Sequence, residues 1–435
     1  MKSPTNDANE SAPDLLIAGG RMIDPGNGVD QVCDVYVAQG KVAALRAPAK
    51  RSKKFDGVRI DADGLMVLPG LIDLCARLRQ PSEAHKAITK TEARAAARGG
   101  IARIVCPPDA FPVIDTPAMA RMLQDRAAAY GFTRVHPLGA LTVGLDGERL
   151  ADMALLMDAG CVGVSNGLRA VGNTLVMRRA MQYAATYDLA VFTTPRDAWL
   201  QGNCVVHEGA VSTRLGLPAI PEAAETVGVA RDLALIETSG ARAHFDLISS
   251  GRAVEMIAEA KTRGLPVSAG VAIHHLHLNE GDIGAFDAQC KVFPPLRTER
   301  DQRALLRGIA DGTINAICSD HQPHSADAKL APFAEAAAGI AGVDTLLALT
   351  MRLVDQDALP LDAAIAALTA KPAAVIGIDA GHLGVGAVAD LCLFDPTKEW
   401  TLSPETMRSD GRNSPWLGSA LRGKVVAAVI DGAVV

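Results

Sequence analysis

The side chains best placed by type and spacing to do chemistry fall in two short stretches, far apart in the chain. One reads ICSDHQPHS over residues 317–325 and sets the carboxylate of Asp320 beside His321 and close to His324. The other reads PGLIDLCARLR over residues 69–79 and carries a thiol, Cys75, and two guanidinium groups, Arg77 and Arg79. Carboxylates, neutral imidazoles and thiolates converging on one point can hold a divalent cation, which lowers the pKa of bound water and polarises a carbonyl. A guanidinium cannot join such a set, because it has no free lone pair and stays protonated. Cys75 therefore has two readings, a thiolate ligand or a small buried residue, since free cysteine is commonly buried. Arg77 also has two: inward, paired with Asp320, or outward in solvent. His274 and His275 are adjacent on a segment read as extended, where neighbours point opposite ways, and are expected to be structural. Cys161, Cys204, Cys290 and Cys318 have no metal-like spacing.

The elements that must position these groups follow from the pattern of apolar runs. Eight candidate strands are Met66–Leu74, Ile101–Cys106, Val135–Gly139, Cys161–Ser165, Leu189–Thr193, Ala243–Leu247, Leu265–Gly270 and Ile314–Cys318. Helical stretches lie between most of them, at Glu83–Arg98, Thr174–Thr186, Pro221–Thr238, Arg252–Arg263 and Arg300–Asp311. That alternation predicts an α/β fold, a (β/α)8 TIM-like barrel over residues 63–377, with chemistry where strands end and loops begin. A doubly wound sheet is the competing architecture, but no Gly-x-Gly-x-x-Gly follows an early strand. Short strands and Gly-rich turns at both ends predict a small β-sandwich domain from residues 13–62 and 378–435. Residues 1–12 are expected to be a mobile tail.

Composition excludes several function classes. The chain has 435 residues, 49% of them hydrophobic, and a formal net charge of −6. It can bury a large core, and it lacks the basic stripe of a nucleic-acid binder. The polar N-terminus and the absence of a long apolar run argue against a membrane partner. Eight scattered cysteines without a Cys-x-x-Cys pair fit a reducing cytoplasm.

In order and separation, PGLIDLCARLR, KVFPPLR (291–297) and ICSDHQPHS resemble the dihydroorotases of the cyclic amidohydrolase superfamily. RLGLP (214–218), Pro221-x-x-x-Glu225 and Ala272–Leu276 match as well, so the similarity spans nearly the whole chain. The resemblance implies two zinc ions at a barrel mouth, a bridging hydroxide that opens a ring amide, and an aspartate that shuttles the proton. Carried over position by position, it implies a degenerate metal site. Cys75 and Arg77 stand at a His-x-His pair, Asn166 at a bridging acid, and Thr194 at the histidine of a His-x-Glu-Asp run that reads Thr194-Pro195-Arg196-Asp197. Leu247 stands at the second histidine of His-x-x-His, and only Asp320 is retained. On the substrate side Arg79 and His324 are retained. Two amide donors have become Pro108 and Phe293. A carboxylate-binding Arg79 implies a vestigial ligand site; pairing with an acid such as Asp73 is the alternative.

The expected function is that of a non-catalytic dihydroorotase-like protein of pyrimidine biosynthesis. The resemblance implies a scaffold role, in association with aspartate carbamoyltransferase, with itself in a homo-oligomer, and without a cofactor. Two alternatives stay open: an active cyclic-amide hydrolase with a reduced zinc site held by Asp320, Cys75 and one histidine, and a non-catalytic ligand sensor built on Arg79.

Overall fold

A computed structural model describes residues 14–48 and 55–435; the segment 1–12, expected to be a tail, lies outside them. The N-terminal part forms β1 (Leu15–Asp24), β2 (Val29–Ala38), β3 (Lys41–Arg46), β4 (Val58–Asp61) and β5 (Met66–Pro69). The barrel strands follow as β6 (Leu71–Asp73), β7 (Ile101–Cys106), β8 (Arg134–Pro137) with its continuation β9 (Gly139–Ala140), β10 (Gly163–Ser165) and β11 (Ala190–Thr193). A short excursion carries β12 (Val206–His207) and β13 (Ala219–Ile220), and the barrel resumes with β14 (Ala243–Phe245), β15 (Val267–Ala272) and β16 (Ala316–Cys318). The chain ends in β17 (Leu391–Thr401), β18 (Ala420–Ile430) and β19 (Ala433–Val434).

The barrel ladders are parallel throughout. β6 pairs β7 and β7 pairs β8, while β9, β10, β11, β14, β15 and β16 pair in succession. The ring closes through a parallel bridge between Ala76 and His321. All eight candidate strands are present, so the (β/α)8 architecture holds. Both chain ends build the second unit, in the order β19-β18-β17-β5-β1-β2-β3, with β4 pairing the first half of β1 on the edge that β5 pairs further along. This sheet curls on its apolar face. Alternate residues Ile17, Val35, Val37, Leu391, Leu393 and Val429 share one core, and the β18–β19 turn at Gly432 abuts the β2–β3 turn at Gly40.

Two expectations change. Met66–Leu74 is two strands: Met66–Pro69 pairs with β1 and β17 in the terminal sheet, and only Leu71–Asp73 enters the barrel. Gly70 makes the crossing, where a Cβ would lie 2.6 Å from the Ala102 Cβ. The helix expected over 83–98 begins at Thr89. Residues before it are held in turns by Arg79–Glu83 and Lys86–Glu83 ion pairs, and the Gln80 side chain accepts from Thr89 N at 2.9 Å. The helix Thr174–Thr186 has the expected bounds, because Asn173 Oδ1 accepts from Leu175 N and Val176 N and caps it. Barrel and sheet are clamped by Asp390, whose Oδ2 accepts from Arg103 and Arg134 at 3.0 Å each.

Candidate functional site

The strand ends β6, β7, β14 and β16 bring five side chains together at the barrel mouth. Arg77, two residues along from Cys75, is 6% exposed and points inward. Its guanidinium forks onto Asp109, with Nε to Oδ1 at 3.0 Å and Nη2 to Oδ2 at 2.9 Å. Nη1 donates to Asp320 Oδ1 at 3.0 Å and lies 3.7 Å from Cys75 Sγ. The bidentate geometry is the strong form of such a pair. Asp320 also accepts from Gln322 Nε2 at 3.1 Å on each oxygen and from the Cys75 thiol at 3.6 Å. Asp109 was absent from the sequence reading; it follows Pro107-Pro108, which end β7 by withholding N–H groups from the ladder.

The electrostatics follow from burial. Burial opposes the Arg77 charge, and Asp109, Cys75 and Asp320 more than offset it, leaving the guanidinium well above its usual pKa. Burial likewise works against the Asp109 carboxylate, but Arg77 holds it below the usual range. Burial pushes Asp320 up to about 6 in spite of Arg77. Asp246, in the His244–Leu247 run, is pushed up to about 7 by burial and then by Asp320. Among the described residues its Oδ1 has no hydrogen-bond partner. The neighbouring Cys318 thiol and burial raise Cys75 well above the ordinary thiol range.

The remaining positions of the degenerate set are dispersed. Leu247 packs with Cys75, Ala272 and Cys318 in a small apolar cluster. Asn166 is turned into its own loop: Oδ1 accepts from Thr142 Oγ1 at 2.7 Å and Nδ2 donates to the Arg169 carbonyl at 3.0 Å. Thr194 lines a separate cleft with Asn166. Arg79, Leu247 and Asp320 all have left-handed backbones, at φ 64°, 53° and 42°. Such a conformation costs a branched residue like Leu247 about 1–3 kcal/mol. These tight turns keep the shape of the strand ends although the side chains on them have changed.

Arg79 pairs with Glu83 at 3.2 Å and donates to the Pro323 carbonyl at 3.1 Å, so Asp73 is not its partner. Asp73 instead accepts from Ser319 N and Cys75 N. Arg79 Nη2 also lies 3.1 Å from His324 Nε2, which is 3.1 Å from the Ala338 carbonyl. One tautomer satisfies one of these contacts, not both. Burial, then Arg79, lowers His324 to about 3, so the ring is neutral.

His274 and His275 lie on the short helix Ile273–His277, not an extended segment, with ring centres 4.6 Å apart. His275 Nε2 donates to the Pro294 carbonyl at 3.1 Å and so fastens the KVFPPLR loop. Two further buried networks hold the matching motifs to each other. Glu225 accepts from Ser249 N and Ser250 N at 2.9 Å each and from Arg297 at 3.3 Å. His321 donates from Nε2 to Glu92 at 2.7 Å while its Nδ1 accepts from Gly342 N, which turns the ring away from the mouth.

The two-cation site implied by the resemblance does not fit these residues. A dication on Asp320 must displace a guanidinium that already neutralises Asp320 and Asp109, and Leu247 and Cys75 meet in an apolar contact. Among the described residues, no group of three or more His, Cys, Asp or Glu side chains is arranged to hold a metal. No described helix is long and apolar enough to cross a membrane.

A parallel barrel joined to a β-domain from both termini is the architecture of solved hydantoinases. The L-hydantoinase (dihydropyrimidinase) of Arthrobacter aurescens superposes with a TM-score of 0.86 over 97% of this chain and 96% of its own, at 22% identity. The D-hydantoinase (dihydropyrimidinase) of a Thermus species superposes with a TM-score of 0.81 over 97% and 94%, again at 22% identity. At that identity the likeness establishes the fold. The chain belongs to the dihydroorotase-like amidohydrolase family: residues 64–253 match the family described as dihydro-orotase-like and residues 260–435 the amidohydrolase family. A dihydroorotase-like protein of Pseudomonas aeruginosa is 45% identical over 419 residues, 96% of this chain and 98% of the relative. A dihydroorotase of an Anaeromyxobacter species is 43% identical over 423 residues, 97% of each.

Proposed function

We propose that this chain is a non-catalytic member of the dihydroorotase-like family, a cytoplasmic scaffold subunit of pyrimidine biosynthesis that associates with aspartate carbamoyltransferase and with copies of itself. The observation that carries the reading is the Arg77 guanidinium seated between Asp109 and Asp320. It supplies the neutralising charge that a metal would supply, but it cannot bind or ionise water. Arg79 and His324, the retained substrate-side pair, are engaged with Glu83, Pro323 and Ala338, which supports a vestigial rather than a working subsite. The networks around Glu225 and Glu92 are by contrast complete, as expected where shape is what the protein provides. Trp199, 91% exposed in the short helix Ala198–Gln201 beyond β11, and Leu330, 82% exposed beyond β16, are available to a protein partner.

Co-expression with the host transferase, followed by sizing of the purified product, tests the scaffold role. A joint complex is expected; a chain that never co-elutes with the transferase overturns it. Metal content and turnover of dihydroorotate and carbamoyl aspartate test the non-catalytic part. The expectation is substoichiometric zinc and no turnover above buffer. Stoichiometric zinc with activity that a chelator abolishes would make the protein an enzyme.

A further inference from the structure

Arg196, in the loop after β11, is a buried cation without a matched anion. It is 8% exposed. Its guanidinium carbon lies 4.7 Å from the centre of the Phe293 ring, and Nη1 reaches Gln201 Oε1 only at 3.4 Å. Among the described residues Nε has no hydrogen-bond partner. A buried charge is costly unless it is paired. Burial draws the Arg196 pKa down to about 10, against the opposing pull of Asp109. Asp109 does not complete the pair, because both its oxygens are forked by Arg77.

Arg196 lines a narrow cleft between the loops that follow β10 and β11. Asn166, Gly167, Arg169, Thr194 and Arg231 stand around it, and among the described residues no acidic side chain lines it. Arg231 is committed to Asp232 and to the Val171 carbonyl at 2.8 Å. Arg169 makes one 3.3 Å contact, to the Gly144 carbonyl. The cleft thus combines one unmatched guanidinium, set over the Phe293 ring, with the Arg169 cation and the Thr194 hydroxyl.

We infer that this cleft is a binding site for a compact oxyanion, the carboxylate or phosphate group of a small metabolite, with Arg196 as its principal donor. A guanidinium presents a planar fork to such a group, which a lysine would not. The site is separate from the Arg77 pocket, and the inference stands whether or not the chain associates with a transferase.

Calorimetric titration of the full chain in low-salt, chloride-free buffer tests it, with inorganic phosphate in one arm and succinate in the other. Binding in the millimolar range or tighter is expected in at least one arm, and the stronger arm identifies the group. Arg196→Met should weaken it by about tenfold or more, the scale of a charged hydrogen bond, and should remove the anion-dependent rise in melting temperature. Without anion the melting temperature of Arg196→Met should not fall, since an unpaired buried charge is lost. If that variant does not fold, Arg196→Lys, which keeps the charge but not the fork, should weaken binding in the same arm. Absence of binding by the wild-type chain in both arms, at tens of millimolar, overturns the inference. So does unchanged affinity in the folded variant.

Discussion

Arg77→Ala is expected to lower folding stability by about 3–5 kcal/mol, the usual cost of removing one partner from a buried charge pair. The loss has a specific source. Asp109 and Asp320 both depend on this guanidinium, and Asp246, beside Asp320, has an oxygen without a partner among the described residues. Without Arg77, carboxylates that repel one another share a pocket with little water to screen them. The same change should open the pocket to a cation. Asp109, Asp246, Asp320 and the Cys75 thiol would then surround the space the guanidinium leaves. Urea unfolding in the presence of a chelator, then with added zinc or manganese, reads both effects. The variant should regain stability with metal by linkage, about 2.7 kcal/mol at a hundredfold excess over the dissociation constant, and the wild-type chain should not respond. Arg77→Met, which preserves much of the volume, should behave alike, separating charge from packing. If both variants are as stable as the wild type in chelator, Arg77 does not neutralise the pocket and the non-catalytic reading loses its main support.

How far the site was legible follows from where each interaction resides. The barrel could be read because its strands are short apolar runs separated by helices, a pattern set by burial on both faces of a parallel sheet. The boundary within Met66–Leu74 could not, since a strand that leaves one sheet and enters another keeps the same apolar character; Gly70 was its sole mark. The inward Arg77–Asp320 pair was one of two readings, and tertiary structure decided it over 243 residues of separation. Asp109 went unread although a carboxylate just past a strand end is where barrel chemistry collects. Asp73 was one of two alternatives open for Arg79, beside a ligand carboxylate, and the contact that forms is instead the one to Glu83, four residues on. Arg196 showed nothing in sequence, because its significance is an anion it lacks, and a missing partner is visible only once all the neighbours are placed.

Asp246→Asn is expected to flatten the pH dependence of stability between about pH 4 and pH 7. In the folded chain Asp246 titrates at about 7, against about 3.9 for an unfolded aspartate. The pKa is raised on folding, so the native state binds the proton more tightly than the unfolded chain does. The resulting stability is complete below about pH 4 and is lost as pH rises through 7, with a slope approaching 1.4 kcal/mol per pH unit. Over the whole interval the loss amounts to about 4 kcal/mol. The groups acting on Asp246 come from β6 and β16 as well as its own strand. Asp320 and Asp73 raise its pKa, while Arg77 and the Leu247 amide lower it. His244 and Asp246 both stand over Gly270, and among the described residues His244 Nε2 is also without a partner. Asparagine keeps the shape of the side chain and cannot ionise. The variant should therefore match the wild type near pH 4 and exceed it by several kcal/mol at pH 8. Asp320, itself raised to about 6, is coupled to Asp246, so the difference between the two curves belongs to the pair. Urea midpoints for the two chains at four or five pH values decide the matter. Parallel curves would mean that Asp246 ionises in the folded state as freely as in the unfolded one, and that the barrel mouth admits water the Arg77 pocket was argued to exclude.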